Sequence, residues 1–309
     1  MAEYPIIEVP SGSAKAAEPL GAKPKFWFDG QDGLPWLCKI VRPNTGEDWA
    51  EIVAAGIAQL LDLPHAHYVF GEYEGRRCVL SRTMVPPGAS LIHGDELLSW
   101  LDPNYPVDSA PRHYAEPSHT LEAVFQGLER IFCAVPFEWR SKAIPRPADG
   151  VDCFAGYIIL DALIGNTDRH HQNWAVIRHS LKNWHIAPTF DHASCLGREL
   201  SDEVRERRLQ TKDSGFTPEA YAERALSGLF SRENTNRPLQ TVEAVSRLSE
   251  SHPRITELWL NRLAVLPAAS FVELLSALPS SRFSAVARDF ALRVLMHNRD
   301  RLLALVRRR

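Results

Sequence analysis

The stretch Gly165-Asn166-Thr167-Asp168-Arg169-His170-His171-Gln172-Asn173 decides how this chain is read. An apolar helical run from Ala155 to Ile164 leads directly into it, so polar side chains are gathered at the end of a buried helix. After it, Trp174-Ala175-Val176-Ile177-Arg178 and Trp184-His185-Ile186-Ala187 read as two strands around a turn at Ser180 to Asn183. The second strand runs into Pro188-Thr189-Phe190-Asp191, and the hairpin returns Asp191 toward Asp168.

Phosphoryl transfer needs such a grouping. One carboxylate orients the attacking hydroxyl and accepts its proton, while a second carboxylate and an amide oxygen hold the metal that neutralises phosphate charge. Asp168 and Asn173 supply the base and one oxygen ligand from a single loop, and Asp191 supplies the other ligand. Taken singly, each has a plainer explanation, since an Asp after a helix caps it or shapes a turn. Asn166 and Thr167 read as turn residues, and His170 and His171 as packed or solvated histidines.

Upstream, residues 4 to about 85 read as mixed structure. Strand-like runs at Pro5 to Val9, Lys25 to Phe28, Trp36 to Val41 and Arg77 to Arg82 are separated by Gly, Pro and Asn signals, with one helical stretch among them. The cluster Pro86-Pro87-Gly88 marks a boundary, giving two units, 1–87 and 88–309. The second is mostly helical in pattern, with a surface loop from Asp102 to Pro117 and apolar residues at helical spacing from Val242 to Leu305 that read as scaffold. The fold class is α+β.

The first unit carries a second constellation. Lys39 lies in the strand-like run Leu34-Pro35-Trp36-Leu37-Cys38-Lys39-Ile40-Val41, where an ammonium needs a partner. The next element opens with Thr45-Gly46-Glu47-Asp48, similar to a capping box with Asp in the last place. It continues as a helix in which Glu51 shares a face with Ala54, Ala55 and Ala58. A carboxylate on that close-packing face also needs a partner, and Lys39 supplies it. The pair reads alone as a structural ion pair, and beside Asp168, Asn173 and Asp191 as the bridge that presents a lysine to ATP phosphates. Neither G-x-G-x-x-G nor G-x-x-x-x-G-K-[ST] occurs; the candidate phosphate loop is Pro10-Ser11-Gly12-Ser13-Ala14-Lys15, extending to Gly21-Ala22-Lys23.

Bulk properties narrow the partners. The formal charge is −3, and the basic block Arg307-Arg308-Arg309 stands alone, so no nucleic-acid footprint is expected. The five cysteines are scattered without a C-x-x-C, which argues against a disulfide framework or zinc module and for a reducing cytoplasm. The N-terminus lacks a basic signal region, and Asp161 interrupts the longest apolar stretch, so neither secretion nor a membrane span is expected.

Gly165 to Trp174, followed by Pro188-Thr189-Phe190-Asp191-His192-Ala193-Ser194-Cys195-Leu196-Gly197, resembles the HipA-like serine/threonine kinases of bacterial toxin–antitoxin systems. The likeness extends to Lys39, to Glu47-Asp48-Trp49-Ala50-Glu51 and to the segment from Phe290 to Leu305. It implies a two-lobed protein-kinase-like fold, with a small β-rich N-lobe holding one main helix and a larger, mostly helical C-lobe. It implies ATP and Mg²⁺ as cofactors, Asp168 as base, and Asn173 and Asp191 as metal ligands. The nucleotide would be held by Lys39, Glu51 and His170, with hinge contacts near Ser81 and Thr83. Ser11 and Ser13 become candidate autophosphorylation sites. The resemblance points to aminoacyl-tRNA synthetases as substrates and to a helix-turn-helix antitoxin as partner. Longer family members carry an extra small subdomain ahead of the kinase core, so this chain is similar to the short members.

Three alternative readings fit the same residues. Asp-Arg-His with a later Asn is also similar to the catalytic loop of phosphoinositide-type lipid kinases. A metal-dependent hydrolase would use Asp168, His170, His171, Asn173, Asp191 and His192 as ligands. A pseudokinase-like binding module would keep the fold without transfer.

Overall fold

Successive side chains of a strand point to opposite faces, and this period sorts the N-terminal part of the chain. The computed structural model describes residues 4–17, 24–106, 116–137, 139, 149–180 and 183–307. Its first sheet contains β1 (Ile6–Val9), β2 (Ala16–Ala17), β3 (Lys25–Asp29) and β4 (Pro35–Ile40) and, after helix α1 (Glu47–Leu60), β5 (Tyr68–Tyr73) and β6 (Arg76–Arg82). The order is β1-β5-β6-β4-β3-β2, with β1 parallel to β5 and the other neighbours antiparallel. One face gathers Val9, Phe28, Cys38, Ile40, Cys78 and Leu80. On the other, Tyr68, Phe70 and Val79 join the main core with α1. Lys39 pairs with Val79, and Val79 with Phe70. Its side chain therefore takes the α1 face, opposite Cys38 and Ile40.

Strand β5 is absent from the strands expected above, because Gly71 and Glu72 break the apolar pattern of Tyr68-Val69-Phe70-Gly71-Glu72-Tyr73. Glycine is required there: a Cβ at Gly71 would lie 2.7 Å from both Cys78 Sγ and Leu80 Cγ. The hairpin signal lay in the next pair. Glu74 and Gly75 have φ of 50° and 71°, the two left-handed positions of a tight hairpin turn.

After β6 the chain leaves this sheet. Strand β7 (Ser90–His93) precedes helices α2 (Gly94–Leu101), α3 (Leu121–Arg130) and α4 (Gly150–Ile164), then β8 (Ala175–Ser180) and β9 (Asn183–Ile186). The expected hairpin is β8 and β9, and β7 pairs antiparallel with β8 to complete a second, three-stranded sheet. Helices α5 (Asp202–Gln210), α6 (Pro218–Glu223), α7 (Thr241–Ser251), α8 (Pro253–Val265), α9 (Ala268–Ser276) and α10 (Ala285–Arg307) make up the rest. Residues 18–23 of the candidate phosphate loop, 107–115 of the expected surface loop, and Arg308 and Arg309 lie outside the described residues.

Helix α4 is the pillar of the larger lobe. Nearly every residue from Gly150 to Ile164 is buried, as expected of a helix apolar on all sides. Asp149 and Asp152 close a reciprocal capping box at its start. Trp259 of α8 and Phe290, Val294 and Leu302 of α10 are buried in the same core. Among the described residues no single helix is long and apolar enough to cross a membrane. All five cysteines are buried free thiols.

The capping box expected at Thr45 to Asp48 does not form. Gly46 occupies the cap position, and Thr45 Oγ1 donates to the Arg42 carbonyl. Asp48 turns inward because stronger partners wait there: Arg77 Nη2 lies 2.6 Å and Nε 3.0 Å from its carboxylate, and Arg282 Nη1 lies 3.5 Å away. Arg282, just ahead of α10, also donates to the Gly71 carbonyl at 3.3 Å and to Glu72 Oε2 at 3.2 Å. This knot fastens the rear of the first sheet to the C-terminal lobe.

Candidate active site

Gly165 ends α4 with φ of 65°, a left-handed position that glycine takes without a Cβ penalty. Asn166 shapes the next turn, accepting the Asp168 N–H on Oδ1 at 3.2 Å and donating Nδ2 to Asp161 Oδ1 at 2.8 Å. The loop's frame is Arg169, which is fully buried. Its guanidinium grips Asp161 at two points, 2.7 and 2.8 Å, and donates to the Asn173 carbonyl at 2.5 Å and to Thr189 Oγ1 at 3.0 Å. Burial alone would disfavour its charge, but Asp161 outweighs that and raises its pKa. Asp161 interrupts the apolar run because it anchors this clamp.

Asp168 and Asn173 meet inside the loop. Asn173 Nδ2 donates to the Asp168 carbonyl at 2.6 Å, which leaves the amide oxygen as the group it can offer a cation. Ser194 Oγ lies 3.4 Å from Asp168 Oδ2, and His170 Nε2 lies 3.7 Å from Oδ1. His170 Nδ1 accepts the Gln172 N–H at 3.2 Å, which assigns the ring proton to Nε2, facing the carboxylate. His170 is thus placed against Asp168.

Asp191 adopts φ of 58°, unusual for a residue with a Cβ, and contacts with the first lobe hold it there. Its N–H donates to Tyr68 Oη at 3.0 Å. Two residues earlier, Thr189 donates its N–H to Pro64 and accepts that of Ala66. Lys39 Nζ stands 3.3 Å from Asp191 Oδ1 and 3.9 Å from Glu51 Oε1. Burial would lower the Lys39 pKa, but Asp191, Tyr68 and Glu51 together raise it above the ordinary lysine value. Burial, reinforced by Glu51, raises the Tyr68 pKa, so that side chain stays a neutral phenol. Glu51 Oε2 accepts the His192 N–H at 2.8 Å, while Oε1 is buried without a hydrogen-bond partner. The expected Lys39–Glu51 bridge is therefore a triangle whose shorter arm reaches Asp191.

The remaining histidines serve packing. His171 Nδ1 pairs with Tyr105 Oη at 2.9 Å, and His192 Nε2 with Thr189 Oγ1 at 2.7 Å. Among the described residues no group of three or more His, Cys, Asp or Glu is placed to hold a metal, so the ligand cluster of the hydrolase alternative does not assemble there. Ser81 sits in mid-sheet, paired with Leu37 and Tyr68, and Thr83 donates its N–H to the Pro35 carbonyl at 2.9 Å. An adenine contact at Thr83 would fall to its carbonyl. Ser11 is exposed at a turn closed by Ser13 N–H to Pro10 O, with Gly12 at φ 76°; Ser13 Oγ is buried without a partner.

Tyr68, Asp161 and Arg169 were missed as site residues. The last two had a legible signal, since an acid inside an apolar helix demands a cation, and Arg169 follows eight residues later. Tyr68 became visible only once β5 was placed.

A β-sheet lobe over a helical lobe, with these groups between them, is a kinase-like α+β fold. No protein-family profile matches the sequence. A segment of 61 residues is 41% identical to the serine/threonine-protein kinase CtkA of Helicobacter pylori, and it spans 19% of this chain and 19% of that protein. In three dimensions, 97% of the chain aligns with 96% of the crystal structure of the H. pylori proinflammatory kinase CtkA, at a TM-score of 0.71 and 19% identity. It also aligns, over 97% of its length, with 67% of a chain from the Shewanella oneidensis MR-1 HipA, HipB and operator DNA complex, at a TM-score of 0.54 and 13% identity. The fold is thus related to the CtkA and HipA structures.

Proposed function

We propose that this chain is an ATP-dependent serine/threonine protein kinase of the HipA-like kind, with an ATP-binding lobe over residues 1–87 and a catalytic lobe over 88–309. The observation that carries the reading is the Lys39–Asp191–Glu51 triangle beside the loop of Asp168 and Asn173. A largely buried lysine between two carboxylates, one of which belongs to the metal pair, suits a site that receives phosphate and cation together. The unpartnered Glu51 Oε1 keeps an acceptor for Lys39 when Asp191 turns to a metal.

The donor set fits Mg²⁺, a hard cation that prefers oxygen: Asp191 offers a carboxylate and Asn173 an amide oxygen. Bound there, the metal would neutralise charge on the β- and γ-phosphates. Lys39 holds the phosphates. Asp168 accepts the proton of the acceptor hydroxyl as that oxygen bonds to the γ-phosphorus and the bond to ADP breaks. His170 and Ser194 orient the Asp168 carboxylate, and Arg169 fixes the loop.

Finer assignments follow the family resemblance. Ser11 and Ser13 are proposed as autophosphorylation sites, an aminoacyl-tRNA synthetase as acceptor, an antitoxin of helix-turn-helix type as partner, and the cytoplasm as location. The HipA, HipB and operator DNA complex supports the partner assignment. The decisive experiment incubates the protein with Mg²⁺ and γ-labelled ATP and follows label on the protein or on a synthetase. Asp168→Ala should abolish transfer and spare nucleotide binding, because the base does not hold phosphate, while Asp191→Asn should weaken Mg²⁺-ATP binding itself. No label and no ATP-dependent thermal shift would sink the kinase reading.

A further inference from the structure

Beside Asp168, a cavity of about 420 Å³ opens among Thr167, Ser194, Arg198, Glu199, Arg208 and Arg224. It adjoins the candidate base, for Thr167 precedes Asp168 and Ser194 Oγ reaches Asp168 Oδ2 at 3.4 Å. Most of its wall belongs to the segment that follows Asp191. An acceptor hydroxyl placed on Asp168 would put its neighbouring residues against this wall.

The wall is cationic. Arg198 is balanced by Glu47 at 3.1 Å. Among the described residues, neither Arg208 nor Arg224 forms a salt bridge, and each is held by a backbone carbonyl: Arg208 Nη1 by Phe216 at 3.2 Å and Arg224 Nη2 by Gly215 at 3.0 Å. Arg208 also lies over the Phe216 ring, 4.1 Å from its centroid. The guanidinium groups are therefore positioned without being neutralised. Glu199, the carboxylate in the wall, is already taken by Tyr221 Oη at 2.7 Å. Positioned guanidinium groups that no carboxylate among the described residues neutralises match carboxylates, which accept two parallel bonds.

We propose that this cavity is the acceptor-peptide site and selects serine or threonine flanked by Asp or Glu. The proposal rests on the kinase reading above and adds the class of sequence phosphorylated. Arg198, Arg208 and Arg224 set that specificity through contacts with flanking side chains, while Asp168 serves the hydroxyl itself.

The test uses the full chain with Mg²⁺-ATP and three peptides, each with one serine flanked by alanine, glutamate or lysine. Wild type should use the glutamate peptide with kcat/KM about tenfold above the lysine peptide, the size of one charge-assisted contact. Arg224→Gln should raise KM for the glutamate peptide more than it lowers kcat. Arg224 is exposed, and Arg224→Glu should shift preference toward the lysine peptide, a gain that misfolding cannot mimic. Equal use of all three peptides by wild type, or an Arg224→Glu variant with unchanged preference, would overturn the acidic specificity and leave the kinase reading standing. Transfer to none of them, with no ATP-dependent thermal shift, would overturn both.

Discussion

Replacing Asp161 by leucine strands the Arg169 guanidinium inside the core. In the native chain Arg169 makes two bonds to Asp161 and one each to the Asn173 carbonyl and Thr189 Oγ1. Removing one partner of a buried ion pair costs about 3–5 kcal/mol, since the other charge stays desolvated. For a chain of 309 residues, an unfolding entropy of about 2.1 cal/mol/K per residue sums to roughly 0.65 kcal/mol/K, so Tm should fall by about 5–8 °C. The double variant Asp161→Leu with Arg169→Met buries an apolar pair instead and should recover most of that loss. Transfer should not recover with it, because the Asn173 carbonyl and Thr189 lose the guanidinium that positions them. Calorimetry on both variants, alongside label transfer from ATP, separates the two effects. A single variant with wild-type Tm would refute the uncompensated-charge account, and a double variant with wild-type kcat would refute the positioning role.

Acid should act through His119. Burial, aided by the nearby His171, lowers its pKa to about 3, and the neutral ring accepts Trp174 Nε1–H at 3.1 Å and pairs with the Gly228 carbonyl at 3.1 Å. From about pH 6.5 down toward 3 the unfolded chain holds one more proton than the folded chain, so stability is lost as pH falls through that window. His119→Gln should flatten the slope by up to about 1.4 kcal/mol per pH unit; urea midpoints with the same slope as wild type would contradict this. Gly228 lies at φ 71°, and an added Cβ would stand 3.0 Å from the Arg169 backbone and 3.2 Å from the His170 nitrogen. Gly228→Ala should therefore displace the loop and lower kcat by about tenfold or more. Gly75→Ala, left-handed but with nothing within 4 Å, should lose about 1 kcal/mol of stability and keep its kcat. Equal kcat in the two variants would count against loop displacement.

Much of the grouping of the candidate site was legible because its residue types were out of place. A lysine in an apolar strand, a glutamate on an alanine face and a cluster of acids and amides after a buried helix each demanded partners. The structure brings Lys39, Glu51 and Asp191 together, and Asn173 against Asp168. What escaped were features whose cause is tertiary. Tyr68 matters through a hydroxyl that meets Asp191 from 123 residues away, and β5 hides behind a glycine required by its neighbours on β6. Asp48 sits where a helix cap would fit, and two arginines from distant segments outbid the local bond. The acceptor cavity left no motif, because its arginines are spread over three segments and become a group only in the fold.

The anchoring of α1 bears on how the cleft can move. Beyond the Asp48–Arg282 knot, Glu47 pairs with Arg198, the Gly46 N–H reaches the Arg198 carbonyl, and Glu51 takes the His192 N–H. Gly56 lets Leu274 of α9 lie against the same helix. Although it lies between two strands of the small lobe, α1 is thus bonded directly to the segment that follows Asp191. The sheet that carries Lys39 is tied to the large lobe as well, Tyr68 meeting the Asp191 N–H and Arg282 meeting Gly71 and Glu72. Any change in the separation of Lys39 and Asp191 would have to be taken up at these bonds, so loosening one of them should be felt first at the phosphates.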